Sequence, residues 1–122
     1  MSKTILIVDD SFSLRQTLAI ALREAGYTVQ EAVDGKDGLA KLDGTKYNLI
    51  ISDVNMPNMD GISFVKAAKQ LPNYKFTPVI MLTTESDPAK MQAGKDAGVR
   101  AWVLKPFQPP ALLDAVSKLV MN

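Results

Sequence analysis

Thr4-Ile5-Leu6-Ile7-Val8-Asp9-Asp10, residues 4–10, is an unbroken β-branched and apolar run that stops at two carboxylates. A short run that is apolar at every position suits a strand buried on both faces of a parallel sheet, where no side chain needs to reach water. Three later runs have the same form: Leu49 to Ser52 meets Asp53, Val79 to Leu82 meets Thr83, and Trp102 to Leu104 meets Lys105. If the four are parallel strands, their endpoints share one edge of one sheet. Residues far apart in sequence then become a single cluster of carboxylates, hydroxyl and ammonium.

The segments between these runs have a different period. From Phe12 to Ala25 the apolar residues Leu14, Leu18, Ala21 and Leu22 fall on one helical face, and Gly26 ends the helix. Thr28 to Ala32 predicts a second strand, Asp34-Gly35 a turn, and Leu39 with Leu42 a brief helix ending at Gly44. Tyr47 to Asp53 predicts the third strand. Ile62, Val65 and Ala68 mark a third helix that Pro72 closes, and Pro78 opens the strand Val79 to Leu82. A helix from about Asp87 to Ala97, a strand from Ala101 to Leu104, and a helix from Pro109 through Leu112, Leu113, Val116, Leu119 and Val120 complete the order. The expected fold is α/β: (βα) five times, a doubly wound parallel five-stranded sheet with right-handed crossovers. In such open sheets ligands bind beyond the carboxyl ends of the strands, where the strand order reverses, and Asp9, Asp10 and Asp53 end the two strands that would flank that point.

A chain of 122 residues with 47% hydrophobic content fits one domain, residues 1–122, with no linker or repeat. The net charge of +1 divides unevenly: residues 1–61 hold nine acids and six bases, residues 62–122 four acids and eight bases. A solvated surface accounts for such a split, and the totals are too small to argue for nucleic acid. No run approaches the ~18 apolar residues of a membrane span or forms a signal-peptide core, so a cytoplasmic protein is expected. With no cysteine and no histidine, thiolate or imidazole chemistry and Ser/His/Asp triads are excluded. Any chemistry runs on carboxylates, hydroxyls and lysine.

Three carboxylates held together repel one another unless a cation neutralises them. Oxygen ligands without His or Cys select a hard divalent ion, and Mg²⁺ suits two carboxylates, a backbone carbonyl and waters. Asn55, two residues past Asp53, is a candidate for that carbonyl. Each residue alone has a plainer reading: Asp9-Asp10 a helix N-cap, Thr83 a turn residue at a strand end, Lys105 a solvated lysine, Trp102 a core aromatic. Their convergence favours a phosphoryl site, with Asp53 as acceptor beside a metal, a hydroxyl and an ammonium.

Four segments carry a resemblance: Val8-Asp9-Asp10-Ser11; Ser52-Asp53-Val54-Asn55-Met56-Pro57-Asn58-Met59-Asp60-Gly61; Leu82-Thr83-Thr84-Glu85; and Val103-Leu104-Lys105-Pro106-Phe107. In this order and spacing the chain resembles the receiver domains of two-component signalling, most of all the stand-alone chemotaxis type, the CheY family. The resemblance implies the flavodoxin-like receiver fold with strand order 2-1-3-4-5. It also implies that Asp53 accepts a phosphoryl group from a partner histidine kinase. Mg²⁺ would be held by Asp10, Asp53 and the Asn55 backbone carbonyl, with Asp9 acting through water. Lys105 and Thr83 would contact the phosphoryl oxygens, and Lys105 is expected to meet negative charge only when that group arrives. The resemblance further implies a cis Lys105-Pro106 bond, a switch formed by Thr83 and Trp102, and tuning of dephosphorylation by Asn55 and Glu85. Tryptophan departs from the tyrosine or phenylalanine usual at that switch position, and its size argues against a full inward swing.

Such a monomeric receiver is a phosphoacceptor that assists its own phosphorylation and dephosphorylation, not an enzyme acting on other substrates. Its signal would leave through the fourth helix, last strand and fifth helix, where Met91, Val99, Trp102 and Ala115 are expected to form an apolar patch among bases. The implied partners are a chemotaxis-type histidine kinase and a flagellar motor switch protein. Alternatives within the fold are a phosphate sink or a receiver docking on another effector. A metal-dependent phosphatase would want a second acid two residues beyond its nucleophile on the first strand, and Asp9-Asp10-Ser11 lacks it. A flavin carrier would want a phosphate-cradling loop where the two aspartates stand.

Overall fold

Along β1, Thr4–Val8, neighbouring side chains enter different cores. Ile5 and Ile7 join one buried cluster, Leu6 and Val8 the other. This is the alternation of a strand with both faces covered, and it explains why the sequence is apolar at every step. The computed structural model describes residues 3–84 and 87–121. After β1 come α1 (Phe12–Glu24), β2 (Thr28–Ala32), α2 (Gly35–Lys41), β3 (Leu49–Ser52), α3 (Gly61–Lys69), a 3-10 turn (Pro72–Tyr74), β4 (Val79–Thr83), α4 (Pro88–Ala97), β5 (Ala101–Leu104) and α5 (Pro109–Leu119).

The five strands form one sheet in the order β2-β1-β3-β4-β5, and every pair is parallel. Leu18 and Leu22 of α1 with Leu112 and Val116 of α5 cover one face. Phe64, Val65 and Ala68 of α3, with Leu39 of α2 and Ala97 of α4, cover the other. The sheet is doubly wound, as expected. No helix among the described residues is long and apolar enough to cross a membrane.

Several boundaries differ from the sequence reading. The third strand begins at Leu49, not Tyr47, because the Asn48 side chain takes over the ladder: its Oδ1 accepts the Thr4 N–H at 2.9 Å, while its backbone carbonyl accepts from Met121. The brief second helix ends at Lys41, three residues before Gly44. Pro72 does more than close α3; it starts a 3-10 turn that buries Tyr74, whose hydroxyl donates to the Thr45 carbonyl at 2.8 Å. The fourth strand includes Thr83.

Phe64 is the largest side chain fully buried in the α2/α3 face, and α2 accommodates it at Gly38, where a Cβ would stand 2.7 Å from the ring. Phe64→Ala is therefore expected to destabilise the fold by about 3–5 kcal/mol, the usual cost of an aromatic-to-alanine cavity, measured as a lower urea midpoint.

Candidate functional site

The sheet ladder runs one step past the ends of β1 and β3. Asp53 N donates to Val8 O at 2.9 Å and Asp9 N to Ala32 O at 3.1 Å, and Val8 stands opposite Ser52 in the register. The two aspartates therefore leave the same edge side by side. One carboxylate oxygen each from Asp9, Asp10 and Asp53 lie within 4.8 Å of one another. Asp9 and Asp53 are buried and Asp10 is exposed, so the pocket has two sheltered acids and one at its mouth. The helix cap that Asp9-Asp10 alone would suggest belongs to Ser11, whose Oγ accepts from Leu14 N. Asp9 Oδ1 accepts the Ser11 N–H at 2.8 Å.

Lys105 reaches this pocket from the end of β5. Its Nζ lies 2.9 Å from Asp9 Oδ2 and 3.3 Å from Asp53 Oδ2, with the side chain only 18% exposed. This corrects one expectation: Lys105 meets negative charge before any phosphoryl group arrives. The physical reason is the crowding of carboxylates itself, which the ammonium between Asp9 and Asp53 partly offsets. Burial pushes the Asp9 carboxyl above its usual range, and the Asp53 charge adds to that; the Ser11 N–H and Lys105 oppose it.

Thr83 ends β4 fully buried, and its carbonyl accepts from Lys105 N at 3.0 Å. The hydroxyl-bearing and ammonium-bearing strand ends are thus joined through the main chain. The Lys105–Pro106 peptide is cis, as the resemblance implies. Asn55 is exposed in the loop after Asp53, whereas Glu85 lies outside the described residues.

The loop after β3 is fixed by contacts that the sequence reading did not single out. Asp53 Oδ1 accepts from Val54 N at 2.7 Å, and Gly61 N returns to Val54 O at 2.7 Å. A Cβ on Gly61 would overlap the Asp53 carbonyl oxygen. Asn58, with φ of 69°, donates from Nδ2 to Asp34 Oδ2 at 2.6 Å and so ties this loop to the N-cap of α2. Arg15 was also missed. It is buried, its Nη1 donates to the Asp9 carbonyl at 2.6 Å, and its Nε pairs with Glu31 at 3.3 Å. The signal was present: Arg15, Leu18, Ala19 and Leu22 are the buried residues of α1, and their spacing is that of one helical face.

On the α4–β5 face, Met91, Val99 and Trp102 line one open hollow of about 380 Å³ together with Lys95 and Arg100. Ala115, expected in the same patch, packs instead against the α1/α5 core, because α5 turns that side toward the sheet.

A model of the response regulator receiver domain matches residues 5–117. The chain belongs to that family. A solved structure of chemotaxis protein CheY4 from Vibrio cholerae superposes with a TM-score of 0.94 at 47% identity, covering 98% of this chain and 100% of that one. The chemotaxis protein CheY of Pseudomonas aeruginosa is 34% identical over 116 residues, 94% of either chain. Other curated relatives are longer. The chain spans 47% of the transcriptional regulatory protein ResD of Bacillus subtilis, to which it is 35% identical, and 13% of a gliding motility regulatory protein of Myxococcus xanthus. Receiver domains are regulators that interact with histidine kinases and bind Mg²⁺ at an acidic pocket, and this receiver has such a pocket in Asp9, Asp10 and Asp53.

Because Lys105 already holds two of those carboxylates, it competes with a divalent ion for them. Lys105→Ala is expected to tighten Mg²⁺ about threefold to tenfold, the range that a partly exposed ion pair of roughly 1 kcal/mol allows. Isothermal titration of the two proteins with Mg²⁺ measures it, and equal affinities would mean that the ion pair costs the metal nothing.

Proposed function

We propose that this receiver is a single-domain response regulator, residues 1–122, that acts in the cytoplasm in bacterial chemotaxis and signals from Asp53. The observation that carries the reading is the Lys105 ammonium poised between the Asp9 and Asp53 carboxylates. A fixed cation beside a buried acceptor carboxylate is what an incoming phosphoryl group requires.

In this reading Asp53 attacks the phosphorus of a phosphohistidine on the kinase. The P–N bond breaks, the aspartyl phosphate forms, and the released imidazole nitrogen takes a proton. Asp53 Oδ1 is engaged by the Val54 N–H, which orients the carboxylate with Oδ2 toward Lys105. The donor set of oxygens alone fits Mg²⁺: Asp10, Asp53 and the Asn55 backbone carbonyl would hold the ion, with Asp9 assisting through water. Bound there, the ion supplies positive charge that offsets the phosphoryl oxygens. Lys105 shifts from the resting carboxylates to the phosphoryl group, and the Thr83 hydroxyl turns toward it. Asn55 and Glu85 set the access of water for hydrolysis.

Trp102 serves as the switch aromatic. It stands opposite Met81 in the register of β4 and β5, two positions before the Thr83–Leu104 pair, so a shift of Thr83 changes the packing on its side of the sheet. Output then leaves by the hollow that Trp102 lines with Met91, Lys95, Val99 and Arg100. The chemotaxis relatives make a flagellar motor switch protein the target proposed for this face.

Mg²⁺ with acetyl phosphate is expected to add one phosphoryl group to the wild-type chain and none to Asp53→Asn, read by intact mass. Equal labelling of the Asn variant would overturn the assignment. Addition of the purified motor switch protein tests the chemotaxis half separately, since its binding should rise with phosphorylation of Asp53 and not in Asp53→Asn.

A further inference from the structure

Gly94 lies buried in the middle of α4, where glycine is the poorest helix former after proline. Its backbone does not require it. Positive φ values occur at Gly26, Gly44 and Gly98 and not at Gly94. What Gly94 does lack is room: a Cβ there would stand 2.5 Å from Cζ2 and 3.1 Å from Cη2 of Trp102. The neighbour is a rigid ring, not the end of a flexible chain, so the indole and a side chain at position 94 cannot share the space. The helix is notched at the one place where the six-membered ring of Trp102 rests. Trp102 also lines the hollow between α4 and β5.

We propose that Gly94 is the positioning residue of the switch: the notch it leaves in α4 is the resting seat of Trp102, and its depth sets how far the resting state is favoured over the phosphorylated one. The inference rests on the reading of Trp102 as the switch aromatic. An indole is larger than the aromatic usual at this position, and the missing side chain on the facing helix is the complementary change that makes room for it against α4. Filling the notch raises the free energy of the seated rotamer alone. The same equilibrium then starts closer to the active state, and anything that binds the active state binds more tightly, since a ligand and a substitution act on one population.

A double-mutant cycle tests this. In the wild-type background Gly94→Ala is expected to lower the urea midpoint, because the methyl group strikes the indole. In a Trp102→Ala background the same substitution should raise it, since alanine is the better helix residue and the clash is gone. The same sign in both backgrounds would overturn the seat. Should Gly94→Ala alone fail to fold, its rescue by Trp102→Ala reports the same coupling and supports it. For the switch, beryllofluoride at saturating Mg²⁺ should half-saturate Gly94→Ala at a concentration at least about threefold lower than wild type. Trp102 emission of the free variant should lie closer to that of liganded wild type. A sign reversal with unchanged beryllofluoride affinity would make the notch a packing feature only and overturn its regulatory role. Wild-type emission that ignores confirmed beryllofluoride binding would instead overturn the switch reading beneath the proposal, a result separable from either outcome of the stability cycle.

Discussion

Carboxylates placed side by side at the edge of a parallel sheet repel one another, and the rest of this receiver's architecture answers that repulsion. The register of β1 against β3 puts Asp9 and Asp53 beside each other, and burial removes the water that would screen them. Lys105, delivered from β5 across the sheet, is the counter-charge. One ammonium pairs with two of the pocket's three carboxylates, so the cluster keeps an excess of negative charge that suits a divalent cation. The ammonium keeps the two buried acids from standing as unpaired buried charges.

Much of the fold was legible because both of its periodicities are unambiguous. The continuous apolar runs at Ile5–Val8, Leu49–Ile51 and Val79–Leu82 have no polar face and fit only strands covered twice, while Leu18, Leu22, Leu112 and Val116 recur at helical spacing. The strand order was implied by resemblance, not by periodicity, and the sheet has it. Strand ends were less legible. Whether Asn48 lies in or before β3 depends on its amide replacing a backbone carbonyl, a choice made by Thr4 and Met121 far away in sequence.

The site was legible as a set of residues and not as a set of pairings. Asp9, Asp53 and Lys105 were singled out, yet the sequence order gives no sign that the lysine meets the acids at rest, since that depends on the absolute position of β5. Arg15 was passed over because a charged residue on an apolar face reads as an interruption of the face; only the Asp9 carbonyl and Glu31, brought to it by β1 and β2, explain its burial. Gly61 stood inside a recognised motif, but the reason for it, contact with the Asp53 carbonyl, is visible only in three dimensions.

Arg15 also divides the receiver mechanically. It bolts the main chain at Asp9, Gly61 closes on the chain at Asp53, and both residues leave strands with a ladder neighbour on either side. β5 has a neighbour on one side only, and Leu104 near its end is 57% exposed. Edge strands have fewer hydrogen bonds to resist displacement; β2, the other edge, carries Glu31 paired with Arg15, whereas β5 leads into Lys105. Of the strands whose ends form the pocket, β5 is the one held from a single side, and it is the strand that bears Trp102.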